Sequence, residues 1–233
     1  MVQSLEGHSV RRFDGELNNL HTRVLEIAGL AVDQARLALR ALDGRDLDAA
    51  RKVMRRERDV DRLEVEVDEE IVTMLARRAP LAMDLRVIIS FSKIVSHLER
   101  VGDEAMRIAD LCLRMYAANP DADGGDTLND AHAMGLAAGQ ILTQAVELLD
   151  TLDIDRAEAL LTDQGIMQRE FEAGLRRLAN LVPGDSPSVG QAIDAVLIMK
   201  ALERIGDHAR NLAEYVVYMV SGTDVRHRQN PVP

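Results

Sequence analysis

Apolar residues recur at spacings of three and four along most of this chain, a pattern typical of amphipathic helices. One clear example comprises Ile88, Phe91, Ile94, Val95, Leu98, Gly102, Ala105, Ala109 and Leu113. Prolines and short polar turns interrupt the pattern, and these interruptions mark the ends of helices. We therefore predict six helices, near residues 11–42, 47–78, 83–118, 127–150, 154–182 and 187–221.

Local signals support several of these ends. Asp46 and Asp153 each precede a stretch of helical periodicity, and aspartate is a typical N-cap residue. Ser186-Pro187 predicts the start of the last helix, because proline is favoured in the first turn. Gly222 predicts the end of that helix.

The third and sixth predicted helices share a repeated segment. A shift of 104 residues aligns Leu98–Ala105 with Leu202–Ala209, and six of the eight aligned residues are identical. An internal duplication explains this most simply, and each copy then supplies three amphipathic helices that can close around one core. The sequence thus predicts an all-α protein made of two tandem, internally duplicated three-helix bundles.

The one long turn-forming polar stretch between the predicted helices separates the two copies. We place the first three-helix bundle at residues 1–118, a linker at 119–126 and the second bundle at 127–222, followed by a flexible tail at 223–233.

Composition and net charge restrict the cellular compartment and the classes of partner that we expect for this chain. Aromatic residues make up only 3% of the 233 residues and Trp is absent, which suits closely packed helices better than sheets. The formal net charge of −11 disfavours nucleic acid and anionic lipid as partners. A single cysteine, with no signal segment and no membrane-spanning apolar run, predicts a cytoplasmic protein.

Carboxylates line the margin of the apolar face on three predicted helices. At about 100° per residue, each of these sets occupies one narrow stripe: Glu99, Asp103 and Asp110; Glu203, Asp207 and Glu214; and Glu57, Asp61, Glu64 and Asp68. Like charges four residues apart destabilise a helix by about 0.2–0.5 kcal/mol per pair, so positive charge is expected to offset them.

Two interpretations of the stripes remain open. Arg100, Arg107 and Arg204 can form local ion pairs while water solvates the other carboxylates, as is usual at the exposed margin of a helix. Alternatively, a hard cation bridges carboxylates of neighbouring helices. His208 follows Asp207 and is either a further ligand or an ordinary ion-pair partner.

No motif for catalysis is found. The sequence has no phosphate-cradling glycine loop, no Ser-His-Asp motif and no Rossmann fingerprint. Gly102 and Gly206 lie inside predicted helices, where glycine costs about 1 kcal/mol relative to alanine. Close helix packing explains both glycines without a ligand.

Three segments resemble the signature segments of the PhoU family of bacterial phosphate-transport regulators: Pro80–Arg86, Leu98–Asp103 and Glu203–Tyr218. The resemblance spans nearly the whole chain, and the doubled Glu-Arg-x-Gly-Asp motif is far more specific than a single short pattern. It implies twin three-helix bundles and a protein that is not an enzyme but restrains the phosphate-starvation response.

The resemblance also implies two metal sites, each formed by acidic x-x-x-Asp motifs on neighbouring helices, with iron, manganese, magnesium or zinc as the ion. By position in these motifs, the first site would use Glu64, Asp68, Glu99 and Asp103, and the second Glu203 and Asp207. The neighbouring candidates are Asp61, Asp110, Glu172, His208 and Glu214. The implied partners are a second copy of the chain, a sensor histidine kinase and the ATPase subunit of the phosphate ABC transporter, and the chain would meet membranes only through its partners.

One departure from the family pattern affects the second site. Gln168 and Glu172 match Glu64 and Asp68 under the 104-residue shift, so the second site has one anionic ligand fewer. Two other functions stay open. One is a purely structural helical scaffold without metal, and the other is a di-iron-type carboxylate enzyme, which needs Glu-x-x-His pairs that this chain lacks.

Overall fold

The computed structural model describes residues 11–118, 125–162, 165–181 and 189–225. Within these ranges the chain forms seven helices and no strand. The helices are α1 (Arg11–Gly44), α2 (Leu47–Arg78), α3 (Met83–Ala118), α4 (Gly125–Thr151), α5 (Ile154–Thr162), α6 (Ile166–Leu181) and α7 (Val189–Ser221). The all-α fold class is therefore confirmed.

One predicted helix is wrong. The continuous helix expected over 154–182 is instead two helices, α5 and α6, so the six predicted helices become seven in the described ranges. Gly165 stands immediately before α6 with a φ of +78°, a left-handed conformation that a continuous α-helix does not contain. The chain therefore turns where helical periodicity alone predicted continuation.

The predicted limits of the bundles, linker and tail stay a prediction. α4 begins at Gly125, so Gly125 and Asp126 belong to a helix rather than to the predicted linker. The rest of the linker, Ser186-Pro187, residues 1–10 and tail residues 226–233 lie outside the described residues.

The predicted caps are confirmed. Asp46 Oδ1 accepts a hydrogen bond from the Ala49 N–H at 2.9 Å, and Asp153 Oδ1 accepts one from the Arg156 N–H at 3.0 Å. Gly222 ends α7 with a φ of +75°, and its N–H donates to the Tyr218 carbonyl at 3.0 Å. Each end thus satisfies backbone groups that the helix leaves unpaired.

Each half of the chain packs around its own apolar faces. In the first half, α1, α2 and α3 pack pairwise against one another. In the second half, α4 and α7 pack together, and the short helices α5 and α6 take the place that α2 has in the first half. The two halves are tandem helical bundles, as predicted from the duplication.

The halves join mainly through α3 and α7, with a second contact between α1 and α4. At the first contact, Arg204 of α7 pairs with Glu104 of α3. At the second, His21 of α1 lies 2.8 Å from the Leu149 carbonyl through its Nε2. Among the helices of the described ranges, none combines the length and apolar character needed to cross a membrane.

Candidate functional site

The first half brings its predicted carboxylates together between α2 and α3. These side chains act on one another electrostatically, with α2 and α3 both contributing. We call the group the first acidic site: Asp61, Glu64, Asp68, Glu99 and Asp103. The antiparallel hairpin formed by α2 and α3 places the two predicted stripes side by side.

Glu99 is the most perturbed member of the first acidic site. Burial, together with the neighbouring charges of Asp103 and Glu64, raises the pKa of Glu99 to about 7. Arg100 offsets part of this repulsion, because its Nε lies 3.2 Å from Glu99 Oε2 and its NH1 lies 3.5 Å from Asp103 Oδ2. One arginine therefore faces two carboxylates.

The remaining members on α2 are more open to water. Burial and the charges of Asp68 and Asp61 raise the pKa of Glu64. Asp68 is exposed, and its Oδ1 accepts a hydrogen bond from Ser92 Oγ at 3.4 Å. The site thus runs from a half-buried centre at Glu99 to a solvated edge at Asp68.

Two residues extend this site into the core: Glu57, which sequence analysis placed in the same stripe as Asp61 but not among the metal ligands, and Gln34, which it did not identify. Gln34 of α1 is fully buried, and its Nε2 donates to Glu57 Oε2 of α2 at 2.8 Å. Burial, together with the charges of Asp103 and Asp61, raises the pKa of Glu57 to about 7, although the hydrogen bond from Gln34 lowers it in part. A signal existed for Gln34, since it interrupts an otherwise apolar helix face.

Gly102 makes room for this buried pair. A Cβ at position 102 would lie 2.8 Å from Gln34 Oε1 and 3.6 Å from Glu57 Oε2. At Gly206, the repeat partner, a Cβ would lie 2.5 Å from Met167 Cγ. Close approach explains both glycines, as the sequence predicted, but the neighbour is polar in one half and apolar in the other.

Among the described residues of the second half, the predicted acids have different partners. Glu203 is buried and paired with Lys200, while Glu172 accepts a hydrogen bond from Gln168 Nε2 at 3.1 Å. Asp207 is exposed at the edge of a cavity. Ion pairing and the neutral amide thus leave less concentrated negative charge here than between α2 and α3.

Asp110 and Glu214, two further predicted candidates, form ion pairs along their own helices. Asp110 Oδ2 lies 3.2 Å from Arg114 Nε, and Glu214 Oε1 lies 3.8 Å from Arg210 NH2. For Asp110 the solvated ion-pair interpretation describes the observed contact, whereas the ion pair of Glu214 is largely shielded from water. Neither acts on Glu99, Glu64 or Glu57 as a principal charge.

His208 lies at the contact between the halves. Its Nδ1 is 3.2 Å from Nδ1 of His97 on α3, and its Nε2 is buried without a hydrogen-bond partner. Burial, together with the charge of His97, lowers the pKa of His208 to about 4. Its ring therefore faces α3 and is neutral at physiological pH.

A cavity of about 680 Å³ opens in the second half where α5 gives way to α6. Apolar side chains of α4, α5 and α6 line most of it, and Arg156, Arg210, Glu147 and Asp207 supply two charges of each sign. Arg156 NH2 already pairs with Glu147 Oε2 at 2.7 Å. Among the described lining residues the charges therefore balance.

The first acidic site has donors that suit a hard cation, although it is not preassembled. In the described ranges, no three or more His, Cys, Asp or Glu side chains are arranged so that they could hold a metal ion as they stand. Binding would require the carboxylates of α2 and α3 to turn toward a shared ion. The chemistry fits, because all the donors are oxygens and the buried Glu57 Oε1 and Gln34 Oε1 have no hydrogen-bond partner.

Comparison with known proteins supports the duplication, because one family model matches the chain twice. The PhoU domain matches residues 24–112 and again residues 132–216. Each match falls within one of the two helical bundles described above.

Individual relatives match almost the whole chain. A Burkholderia protein called a phosphate-specific transport system accessory protein PhoU homolog is 37% identical over 96% of this chain and 94% of its own length. A Pseudomonas aeruginosa protein of the same description is 34% identical over 96% and 91%. The crystal structure of PhoU from Pseudomonas aeruginosa superposes with a TM-score of 0.85 at 33% identity, covering 91% of this chain and all of that one.

Proposed function

This chain belongs to the PhoU family, and we propose that it regulates phosphate uptake and restrains the phosphate-starvation response as a metal-binding adaptor in the cytoplasm. The observation that carries the proposal is the doubled PhoU domain match. Full-length similarity to accessory proteins of phosphate-specific transport systems supports it. The role requires no catalysis, and we assign no catalytic residue.

Metal binding is proposed at the first acidic site. Glu64 and Asp68 of α2 and Glu99 and Asp103 of α3 would hold the ion, with Asp61 beside them. A bound cation would supply the positive charge that Arg100 alone provides only in part. These carboxylates would orient the ion between two helices and join α2 to α3 by a contact that depends on metal.

The second half offers a weaker site at Glu203 and Asp207. Lys200 competes with any cation for Glu203, and Gln168 holds Glu172 by a hydrogen bond. We therefore expect the two halves to differ in occupancy. Iron, manganese, magnesium and zinc all remain compatible with a site whose donors are carboxylates.

The proposed partners are the ATPase subunit of the phosphate ABC transporter, a sensor histidine kinase and a second copy of this chain. Exposed apolar side chains support protein contacts on both hairpins. Leu85 and Ile89 of α3 are exposed, and so are Val189 and Ile193 of α7, which match them under the 104-residue shift. The negative net charge disfavours nucleic acid.

A deletion strain tests the regulatory role. Without the protein, a starvation-induced phosphatase should be expressed in phosphate-rich medium, and the intact gene should restore repression. Unchanged repression in the deletion strain would contradict the proposal. Affinity purification of the intact chain from phosphate-replete cells should recover the transporter ATPase or the kinase.

Complementation with variants separates a metal-dependent adaptor from a metal-free scaffold. Glu99→Ala with Asp103→Ala should fail to restore repression if the metal matters. The matched control replaces two exposed glutamates elsewhere, Glu26→Ala with Glu158→Ala, and should restore it. Full repression by both variants would favour the scaffold interpretation.

A further inference from the structure

Four exposed arginines lie in a line along α2, and we call this set the arginine row: Arg51, Arg55, Arg58 and Arg62. Their spacings of four, three and four residues place them within about 60° of one another around the helix and over about 16 Å of its length. The row therefore presents a line of positive charge to solvent.

The centre of the row has no carboxylate bound to it. In the part of the chain that the structure describes, neither Arg55 nor Arg58 forms an ion pair. At one end, Arg51 NH1 lies 2.9 Å from Asp48 Oδ1, and both of these side chains are exposed. Exposed pairs of this kind are weak, so a carboxylate of another molecule can replace Asp48.

The other end of the row also has carboxylates that are easily replaced. Arg62 NH1 lies 2.8 Å from Glu66 Oε1, and Arg62 NH2 lies 4.0 Å from Asp59 Oδ1. Glu66 has a second partner, because its Oε2 accepts a hydrogen bond from Arg23 NH1 of α1 at 3.0 Å. Glu66 thus keeps a positive partner when Arg62 turns toward another molecule.

This end of the first bundle is basic although the chain as a whole is acidic. Residues 36–58 contain eight basic and four acidic residues, whereas the matching segment of the second half, 140–162, contains one basic and five acidic residues. Under the 104-residue shift, the residues that match the arginine row carry no positive charge: Asp155, Ala159, Thr162 and Ile166. The duplicated fold therefore does not need the row, and the packing of the helices does not explain it.

Exposed apolar surface adjoins the row on one side. Met54 and Val65 lie within about 20° of each other around α2, next to the arginines. Met54 is 39% exposed and Val65 is 58% exposed. An amphipathic helix with carboxylates along one side and apolar residues beside them complements both features of this face.

An extended anion, such as duplex DNA or a lipid surface, would meet repulsion beyond the row. Residues 59–70, the next part of α2, contain seven acidic residues and one basic residue, and the net charge of the chain is −11. A short segment bound at the row is affected mainly by the row, because salt screens charges that lie more than about 8 Å away. A short acidic segment of a protein is therefore the anion that fits this face.

We propose that the arginine row is a docking surface for an acidic amphipathic helix of a partner protein. Carboxylates at spacings of three and four on that helix would match the spacing of the row and pair with Arg55 and Arg58. Apolar residues beside the carboxylates would cover Met54 and Val65. This inference goes beyond the proposed function, because the row contains no proposed metal ligand.

Fluorescence anisotropy with the full-length, metal-stripped protein tests the proposal. The probe is a labelled helical peptide of about 20 residues, long enough to span the row, with Glu along one side and Leu beside it. Arg55→Ala with Arg58→Thr introduces the matching residues of the second half. The control, Arg77→Ala with Arg176→Ala, removes the same charge at two exposed positions elsewhere. We expect the first variant to weaken peptide binding by about 10-fold or more and the control by less than about 3-fold.

Further variants separate the charges from the apolar contact. Arg55→Lys with Arg58→Lys keeps both charges and should weaken binding less than Arg55→Ala with Arg58→Thr does. A peptide with Gln in place of Glu should not bind the parent. Met54→Ala with Val65→Ala should weaken binding of the Leu peptide but not of a peptide with Ala in place of Leu, because both changes remove the same contact.

The outcomes are distinct from those of the proposed metal site, because the protein is free of metal throughout. Failure of the parent to bind the peptide, or equal binding by Arg55→Ala with Arg58→Thr and by the control, would overturn the proposal. Duplex DNA and phosphatidylserine vesicles are titrated in parallel. If either binds more tightly than the peptide and loses binding with Arg55→Ala and Arg58→Thr, the assignment to a protein helix is wrong. Unchanged helical circular dichroism excludes unfolding as the cause.

Discussion

Arg204 of α7 reaches across the contact between the two halves, and its Nε lies 2.9 Å from Oε1 of Glu104 on α3. Glu104 is only 2% exposed, and Arg107 on its own helix lies 3.5 Å away. Under the repeat, Arg204 matches Arg100 and Glu104 matches His208. The duplicated motif therefore serves the contact between the halves in one copy and the first acidic site in the other.

Removal of the arginine should weaken this contact. Arg204→Ala leaves Glu104 buried with only the more distant Arg107, so we expect a loss of about 1–3 kcal/mol in the free energy of unfolding. Arg51→Ala is the matched control, because Arg51 forms only an exposed pair with Asp48, and it should cost less than about 1 kcal/mol. Urea unfolding measures both, and equal losses would contradict the prediction.

Helical periodicity and turn signals were sufficient to predict the fold class and most helix ends, because apolar spacing and caps are local, and the repeated segment of α3 and α7 predicted the duplication. Periodicity missed the break at Gly165, since one glycine costs a helix only about 1 kcal/mol and does not itself enforce a turn. Carboxylate spacing predicted the acidic stripes, whereas the choice of ligands for the first metal site was implied by the family resemblance. The contacts of His208 and Gln34 could not be predicted, because they depend on how helices dock across the core.

Substitution by alanine at Gly29 and at Gly102 should change the stability of the protein in opposite directions. Gly29→Ala meets nothing within 4 Å and should stabilise the protein by about 0.5–1 kcal/mol, because alanine favours helix. The new methyl group of Gly102→Ala would press on the buried Gln34 amide. This substitution should destabilise the protein by about 1–3 kcal/mol, although alanine again favours the helix. Thermal unfolding followed by circular dichroism compares them. Stabilisation by both substitutions would show that the space at Gly102 is not needed.

The metal-free protein should lose stability as pH rises through the range set by Glu57 and Glu99. Both carboxyl groups have pKa values raised to about 7 from 4.5, so the native state holds protons that the unfolded state releases. The free energy of unfolding should therefore fall between about pH 4.5 and 7 and level off above. Comparison with Glu57→Gln isolates one group and should reduce the fall by on the order of 1–2 kcal/mol. An identical pH profile for parent and variant would contradict this.

A dimer should form through exposed apolar side chains of α7. Val189, Ile193 and Leu197 lie at successive spacings of four and are 43–67% exposed, so they form one apolar stripe. Light scattering should give twice the chain mass of 25.8 kDa for the parent. Ile193→Glu with Leu197→Glu should give the monomer mass, whereas Leu136→Glu, at another exposed apolar position, should not. A monomeric parent at micromolar concentration would refute the dimer itself.

The two acidic sites should differ in metal affinity because their charges are balanced differently. The first acidic site has several carboxylates facing Arg100, whereas Glu203 is paired with Lys200 and Glu172 is bonded to a neutral amide. Hard cations prefer the more anionic set of oxygens, so the first site should bind more tightly. Glu99→Ala with Asp103→Ala should remove the tightly bound fraction of the metal, and Glu203→Ala with Asp207→Ala only the weakly bound fraction.

Elemental analysis after graded chelation decides the ranking. Equal loss from both variants, or a parent without metal, would refute it, and retained helical circular dichroism would exclude unfolding as the cause.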